Sequence, residues 1–249
     1  MTRNPKWHRD EIMLALHLYF SPDRGSIDAK NPKIIALSQL LNELPLVTNR
    51  PDKERFRNPN GVTLKLSNFL PFDEHYTGKG MTSGSKLDKE IFLEFQHKKD
   101  LLGKIAKEIT AIAKNKALKE EILQVEEDEQ TLTDAVEEGA ILYKLHKVRE
   151  RVPSIVKDKK EAVLKEKGKL SCEVCGFDFH DCYGEVGKGF IECHHITPLA
   201  DMKVSRRTTL ADLALVCSNC HRMLHKKIDD ISIESLRVMI QAPPKLQAR

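Results

Sequence analysis

The amino-acid sequence predicts an α+β protein with a mostly helical N-terminal region and a small C-terminal domain rich in cysteine and histidine. Apolar side chains recur at helical spacing through the first half of the chain. Two Cys-x-x-Cys pairs follow after residue 170. Between those pairs, the run IECHHITPL has the character of a strand end. Helices therefore come first, and strands are expected only near the C-terminus.

Length and composition restrict the class of protein. The chain has 249 residues, of which 40% are hydrophobic, so it can bury a core. No apolar run approaches the roughly 18 residues of a membrane span, and MTRNPKWHRDE has no secretory character. We therefore expect no membrane partner and a cytoplasmic location. In the cytoplasm, six cysteines indicate metal ligands or reactive thiols rather than disulfides.

The first seventy residues predict three short helices. The first is DEIMLALHLYF, the second has Asn31 as N-cap and Pro32 at its first position, and the third is NGVTLKLSNFL. Three basic residues lie around the third helix: Arg55, Arg57 and Lys65. This arrangement fits a helix-turn-helix-like reader of DNA that uses these side chains. It fits a small helical bundle with solvated charges equally well.

The middle of the chain predicts a loop, a long helix and a charged connection. TGKGMTSGSK lacks the glycine spacing of a phosphate-binding loop, so it is interpreted as flexible. Ser85 and Asp88 form a capping-box pattern, which begins a long helix predicted to extend to about Ile112. The acidic VEEDEQTLTDAVEE is interpreted as a hinge. Residues 144–169 carry ten Lys/Arg and four acids, which suits either a polyanion or a solvated helix face.

These features predict four segments. Residues 1–125 are expected to form a helical domain that recognises the target, and residues 126–164 a charged helical linker. Residues 165–228 are expected to form the cysteine- and histidine-rich domain, followed by a C-terminal tail at 229–249.

Four cysteines have the spacing of a structural zinc site. They form two pairs, Cys172 with Cys175 and Cys217 with Cys220, and each pair can make a thiolate knuckle. Forty-one residues separate the pairs, which is longer than a usual zinc ribbon. A redox dithiol is the alternative, but two matched pairs favour zinc.

The histidines predict a second metal and a catalytic base. His221 and His225 are four apart on an expected helix, so they share one face. His194 can join them around a divalent cation, whereas the adjacent His195 points to the other side of a strand. A metal-free imidazole there could accept a proton from water. The alternatives are core histidines, or a Cys2His2 site that would leave two cysteines without a role.

CEVCGFDF, IECHHITPLAD and DLALVCSNCHRMLH together resemble an HNH nuclease domain with the ββα-metal fold. More narrowly, they resemble the bacterial enzymes grouped with 5-methylcytosine-specific restriction enzyme A. The resemblance implies that His194 is a metal ligand and His195 the general base, with His221 and His225 as further ligands. The family's central Asn is replaced by Asp212 in this chain, and Asn219 is the other candidate for that role.

The expected function is therefore a metal-dependent DNA endonuclease. Zn²⁺ would be structural, and Mg²⁺ or another divalent cation catalytic. The resemblance implies restriction or defence against DNA carrying 5-methylcytosine-type modification. Alternatives are a non-catalytic zinc-stabilised DNA-binding module and a nuclease for RNA or structured DNA. A homodimer is a further expectation, because one active site cuts one strand at a time.

Overall fold

The computed structural model describes residues 3–47, 49–78, 84–125, 140–141, 144–145, 148, 153–196, 208–225 and 231–241. The chain divides into two compact units. The N-terminal unit comprises Met1–Glu126 and Gly139–Leu142, and the C-terminal unit comprises Glu127–Glu138 and Tyr143–Arg249. None of the helices in these described ranges is long and apolar enough to span a membrane.

The N-terminal unit is helical in its described residues. Its helices are α1 (Arg9–Phe20), α2 (Pro32–Glu43), α3 (Pro59–Ser67), α4 (Lys86–Phe95), α5 (Lys99–Lys114) and α6 (Lys116–Leu123), with a 3-10 turn at Leu70–Phe72. The predicted caps are confirmed, because the Asn31 side chain accepts from the amide of Lys33, and Ser85 and Asp88 form a capping box. The single long helix predicted after Ser85 is wrong. The chain turns between α4 and α5, which buries Phe95 and Leu102 on separate helices.

Helix α1 lies at the centre of this unit, where it buries carboxylates as well as apolar side chains. It packs against α2, α3, α4 and α5. Asp10 is fully buried. Its carboxylate accepts from the amides of Ala140 at 2.8 Å and Ile141 at 3.3 Å, and lies 2.7 Å from His8 Nδ1. These contacts tie residues 140 and 141, distant in sequence, to the first helix.

A buried ion pair joins α1 to the segment before α3. Arg57 donates to both carboxylate oxygens of Glu11, at 2.6 and 2.8 Å. The same guanidinium donates to the carbonyls of Pro5 and Lys6 and lies 4.7 Å from the centroid of the Trp7 ring. Its backbone has a φ of 47°, in the left-handed region. Arg57 is therefore a structural residue, held by charge, hydrogen bonds and an aromatic face.

Lys65 is buried in the same way. Its ammonium donates to Asp88 at 2.7 Å and lies 5.0 Å from the Trp7 ring centroid. Burial lowers the pKa of Lys65, and the Asp88 carboxylate opposes that shift. Arg57 is 4% exposed and Lys65 is 7% exposed, so the expectation that these two contact DNA is corrected. Of the three predicted DNA-binding residues, only Arg55 has an exposed side chain.

The C-terminal unit has a two-stranded sheet among its described residues. Its elements are α7 (Pro153–Lys167), α8 (Phe179–Tyr183), a 3-10 turn (Gly184–Gly187), β1 (Glu192–His195), a 3-10 turn (Leu210–Asp212), β2 (Leu213–Val216), α9 (Ser218–Leu224) and α10 (Ile233–Gln241). The strands pair antiparallel, with His194 opposite Ala214 and His195 opposite Leu213. The described residues are thus rich in helix with a small two-stranded sheet, which is compatible with the predicted α+β class.

Each face of the sheet is covered by a different helical layer. One face, with Ala214 and Val216, packs against a layer formed by the cysteine pairs, α9 and α10. The other face packs against α7 in an apolar cluster that includes Ile155, Val156, Val163, Cys193, Leu213 and Leu215. The segments expected as a linker and a C-terminal tail therefore each contribute a core helix to this unit. Alternation along the strands decides which residue meets which layer.

Removing the charge of Glu11 should destabilise the N-terminal unit. In Glu11→Gln the shape is kept, but the buried guanidinium of Arg57 loses its counter-ion, which costs about 3 kcal/mol. The measurement is urea-induced unfolding followed by circular dichroism. The exposed pair of Lys86 and Glu90 supplies the control. Glu90→Gln should change stability by less than about 0.5 kcal/mol, and equal small losses in both variants would contradict the role of the buried pair.

Candidate metal and active site

The four predicted cysteines lie together at one end of the sheet. Their sulfur atoms are all within 4.8 Å of one another. The first knuckle turns at Gly176, whose φ is 77° and whose amide donates to the carbonyl of Cys172 at 2.8 Å. In the second knuckle the Cys217 side chain caps α9 by accepting from the amide of Cys220. These four residues, Cys172, Cys175, Cys217 and Cys220, are called the cysteine cluster.

The geometry of the cysteine cluster fits one tetrahedral metal ion. The sulfurs of Cys175 and Cys217 are 3.7 Å apart. Four sulfurs at about 2.3 Å from one zinc would be about 3.8 Å apart in a regular tetrahedron. The distance between these two sulfurs therefore matches that expected around one zinc ion, and the cysteine cluster could hold it.

The thiols of the cysteine cluster influence one another's ionisation. Burial raises the pKa of Cys175 and of Cys220, and neighbouring sulfur groups raise the pKa of Cys220 further. Burial also raises the pKa of Cys172. Backbone amides donate to its sulfur and outweigh this effect, so that the pKa of Cys172 is lowered overall. Four adjacent thiolates would repel one another. A divalent cation would neutralise much of that negative charge. The four thiols could therefore lose their protons more easily with a metal bound than without one.

Three histidines of this unit lie close together in a second cluster. His194 on β1 faces α9, which carries His221 and ends in the C-cap residue His225 one turn later. The ring centroids are separated by 5.3 Å (194–221), 5.0 Å (194–225) and 4.7 Å (221–225). These residues form the histidine trio. Sequence spacing predicted that they would converge, and one nitrogen of each lies within 4.8 Å of the others.

The histidine trio also fits a cation. Nε2 of His221 is 3.0 Å from Nε2 of His225. Two nitrogens at about 2.1 Å from one ion are about 3.0 Å apart at right angles, as in octahedral coordination, and about 3.4 Å apart in a tetrahedron. The separation is compatible with two imidazole ligands of one divalent cation, whose remaining positions water and phosphate oxygens could fill.

Sequence reasoning missed Glu192, whose carboxylate contacts the histidine trio. Its Oε2 is 2.5 Å from Nδ1 of His221, and its Oε1 accepts from the hydroxyl of Ser218 at 2.5 Å. The hydrogen bond from His221 lowers the pKa of Glu192, burial opposes this shift, and Ser218 adds to it. A sequence signal existed, because Glu192 precedes His194 by two residues in a strand and so shares its face.

His195 lies on the opposite face from His194. By alternation it shares the face of Cys193, which packs towards α7. Its Nε2 is 3.1 Å from the hydroxyl of Thr208, another residue that sequence reasoning missed. The residue is only 3% exposed. His195 thus lies on the other face of the strand from the histidine trio, and its role as a base that accepts a proton from water stays a prediction.

Asp212 connects the loop before β2 to the end of β1. Its carboxylate accepts from the amide and the hydroxyl of Thr209, at 2.8 and 2.7 Å. Its carbonyl accepts from the amide of Ile196 at 2.9 Å, immediately after His195. The other candidate, Asn219, is exposed in the first turn of α9. The contacts of Asp212 are those of a residue that orders a loop, and its catalytic role stays a prediction.

Comparison with known proteins identifies one domain. Residues 172–227 match the family model described as HNH endonuclease. This segment contains the cysteine cluster, the histidine trio, His195 and Asp212, and it covers 56 of the 249 residues. No curated protein and no solved structure matches the chain. The match supports the resemblance to HNH endonucleases without indicating a subgroup.

Loss of one cysteine of the cluster should remove zinc and unfold the C-terminal unit selectively. In Cys220→Ser the bound zinc should fall from about one equivalent to near zero, because the hydroxyl is a poor replacement for a thiolate. Atomic absorption measures the metal, and limited proteolysis reports which unit has opened. Cys182→Ser is the control, since Cys182 is exposed and lies outside the cluster. Full zinc retention by Cys220→Ser would refute this assignment.

Proposed function

We propose that this protein is a metal-dependent nuclease that hydrolyses phosphodiester bonds, with DNA as its substrate. The observation that carries the proposal is the separation of two adjacent histidines within the segment that matches the HNH endonuclease family. His194 joins His221 and His225, whereas His195 lies on the other side of the strand. Such a site can hold a cation on the histidine trio and leave the imidazole of His195 free of the cation, as a proton acceptor.

The proposed roles follow from these positions. The histidine trio would hold a divalent cation, and when bound that cation would stabilise negative charge on the phosphate and on the leaving oxygen. His195 would accept a proton from the attacking water at Nε2. Asp212 would keep the end of β1 and the loop before β2 in register through Ile196 and Thr209. The cysteine cluster would hold zinc as a structural ion.

The burial of His195 sets a condition on this mechanism. Nε2 of His195 contacts the hydroxyl of Thr208 at 3.1 Å. A water must take the place of that contact before the ring can act as a base. Residues 197–207 connect Ile196 to Thr208 in sequence and lie outside the described residues. Access to His195 is therefore the step on which the enzymatic proposal depends.

The finer features of the proposal rest on the order of elements and on the resemblance. β1, β2 and α9 occur in the order of a ββα-metal domain. Magnesium or another divalent cation is the proposed catalytic ion, because the imidazoles leave positions for oxygen ligands. Restriction of DNA carrying modified cytosine, selection of that target by the N-terminal unit, and action as a cytoplasmic homodimer are further proposals.

A non-catalytic, zinc-stabilised DNA-binding module is the second candidate. The specific observation that favours it is the 3% exposure of His195, which suits a core residue hydrogen-bonded to Thr208. In that case the cysteine cluster and sheet would only present a surface to nucleic acid. The two candidates differ in whether His195 is required for cleavage.

Replacement of His195 should abolish metal-dependent nicking of supercoiled plasmid. We expect His195→Ala to lose about 10²–10⁴-fold in rate, the usual contribution of a general base. Zinc content should be unchanged, because His195 is not among the clustered ligands. His180→Ala provides the control, since His180 is half exposed and pairs with Glu185. Equal rates for wild type and His195→Ala would reject the base, and no nicking by wild type would favour the binding module.

Substrate comparison tests the proposed preference for DNA. Matched RNA, unmodified DNA and 5-methylcytosine-containing DNA should be offered with Mg²⁺ and then with Mn²⁺. We expect cleavage of DNA over RNA, and faster cleavage of the modified duplex. Faster cleavage of RNA would replace the DNA proposal with the RNA alternative, and equal cleavage of both DNAs would remove the modified-cytosine proposal alone.

A further inference from the structure

We infer that Glu192, itself oriented by Ser218, is a positioning residue that fixes His221 in the tautomer able to bind metal through Nε2. The inference rests on the proposed function only in taking the histidine trio to be a cation site. It concerns how this chain orients one residue of the trio, and it assigns a role to Glu192 and Ser218, which are not among the clustered candidate ligands.

The first step of the argument is the geometry of one hydrogen bond. Oε2 of Glu192 lies 2.5 Å from Nδ1 of His221. An ionised carboxylate can only accept, so the proton in this contact belongs to Nδ1 of the ring. A neutral imidazole with its proton on Nδ1 carries a lone pair on Nε2. Because Glu192 holds the proton on Nδ1, Nε2 of His221 is unprotonated and its lone pair can bind a metal ion.

The second step is the direction in which that lone pair lies. Nε2 of His221 is 3.0 Å from Nε2 of His225, and the His194 ring is close to both of the others. Nδ1 of His221 thus faces the carboxylate, and Nε2 faces the interior of the trio. With the opposite tautomer, a proton would stand where the cation binds. A carboxylate behind a ligating imidazole is the usual means of fixing this choice.

The third step concerns the restraint on Glu192. Its other oxygen, Oε1, accepts from the hydroxyl of Ser218 at 2.5 Å. Ser218 is the first residue of α9, the helix that also carries His221. Strand β1 and helix α9 are therefore joined through one carboxylate that touches both. Glu192 cannot turn away from His221 without losing its second hydrogen bond, so the ring orientation is held from two sides.

The inference predicts a loss of metal affinity that does not depend on catalysis. Untagged, zinc-loaded protein is titrated with Ni²⁺ by calorimetry, because imidazole suits this ion. Zinc content is measured before and after, so that replacement of zinc in the cysteine cluster is detected. Wild type should bind one Ni²⁺, and Glu192→Gln should bind it about 10–100-fold more weakly. Ser218→Ala should weaken binding by a smaller factor of about 5, the effect of one hydrogen bond.

Glu185→Gln is the matched control. Glu185 is an exposed carboxylate of the same unit that pairs with Lys188 and His180. Its Ni²⁺ affinity should stay within twofold of wild type. Because both variants replace a carboxylate by its neutral isostere, a general effect of net charge would move them equally. Equal loss in both variants would therefore overturn the inference.

Nitrogen-15 NMR of the histidines in the Ni²⁺-free protein supplies a second measurement. We expect His221 to be protonated at Nδ1 in wild type and to become a mixture of tautomers in Glu192→Gln. Unchanged Ni²⁺ affinity, or unchanged protonation of His221 in the variant, would overturn the positioning role, as would a wild type that binds no Ni²⁺. The outcome is separable from cleavage. A protein that shows these Ni²⁺ and NMR effects but never nicks DNA keeps this inference and loses the proposed nuclease.

Discussion

The register between β1 and β2 is the constraint on which the functional site depends. Successive side chains of a strand point to opposite faces, so His194 faces α9 only because His195 faces α7. A slip of one residue would exchange the two rings and place Cys193, now in an apolar layer, beside the helix histidines. The pairing of His194 with Ala214 excludes this arrangement.

The register is held from the end of the sheet that carries the cysteine pairs. The amide of Glu173 donates to the carbonyl of Leu215, and the Glu173 side chain accepts from the Leu215 amide, both at 2.8 Å. Arg237 of α10 donates to the Glu173 carbonyl. The first knuckle thus borders β2, and the last described helix secures the knuckle. Zinc in the cysteine cluster would therefore stabilise the same β2 residues that set the positions of the histidines, although it lies outside the trio.

Much of the site could be predicted from sequence because its signals are local. The two Cys-x-x-Cys pairs, and the four-residue spacing of His221 and His225, specify a turn or a helix face without knowledge of the fold. Strand alternation predicted that His194 and His195 would point to opposite faces, and the family resemblance assigned His194 to the side of the helix histidines. The contact of Glu192 with His221 could not be derived in the same way, because it joins residues 29 positions apart on a strand and a helix whose relative placement is set by packing.

The basic residues of the N-terminal unit show where prediction from sequence fails. A lysine or arginine near a short helix looks solvated in sequence, since charged side chains are rarely buried unless paired. Here Glu11 and Asp88 provide the pairs, and Trp7 provides an aromatic face for both cations. Those partners lie 46 and 23 residues away from Arg57 and Lys65. Long-range pairing of this kind follows from the tertiary structure and is invisible to local charge patterns.

The same reasoning explains why burial of His195 does not by itself decide between a nuclease and a binding module. A core histidine needs a hydrogen-bond partner, and Thr208 supplies one. A catalytic base needs the same nitrogen to face a group that can be exchanged for water. Thr208 belongs to the loop that Asp212 orders through Thr209, while β1 supplies the ring from the other side. A hydroxyl from a loop can be displaced more easily than one from a packed strand, because loops have fewer apolar contacts to break. Displacement of the Thr208 hydroxyl is therefore the change that the nuclease proposal requires at His195, and the binding module requires no such change.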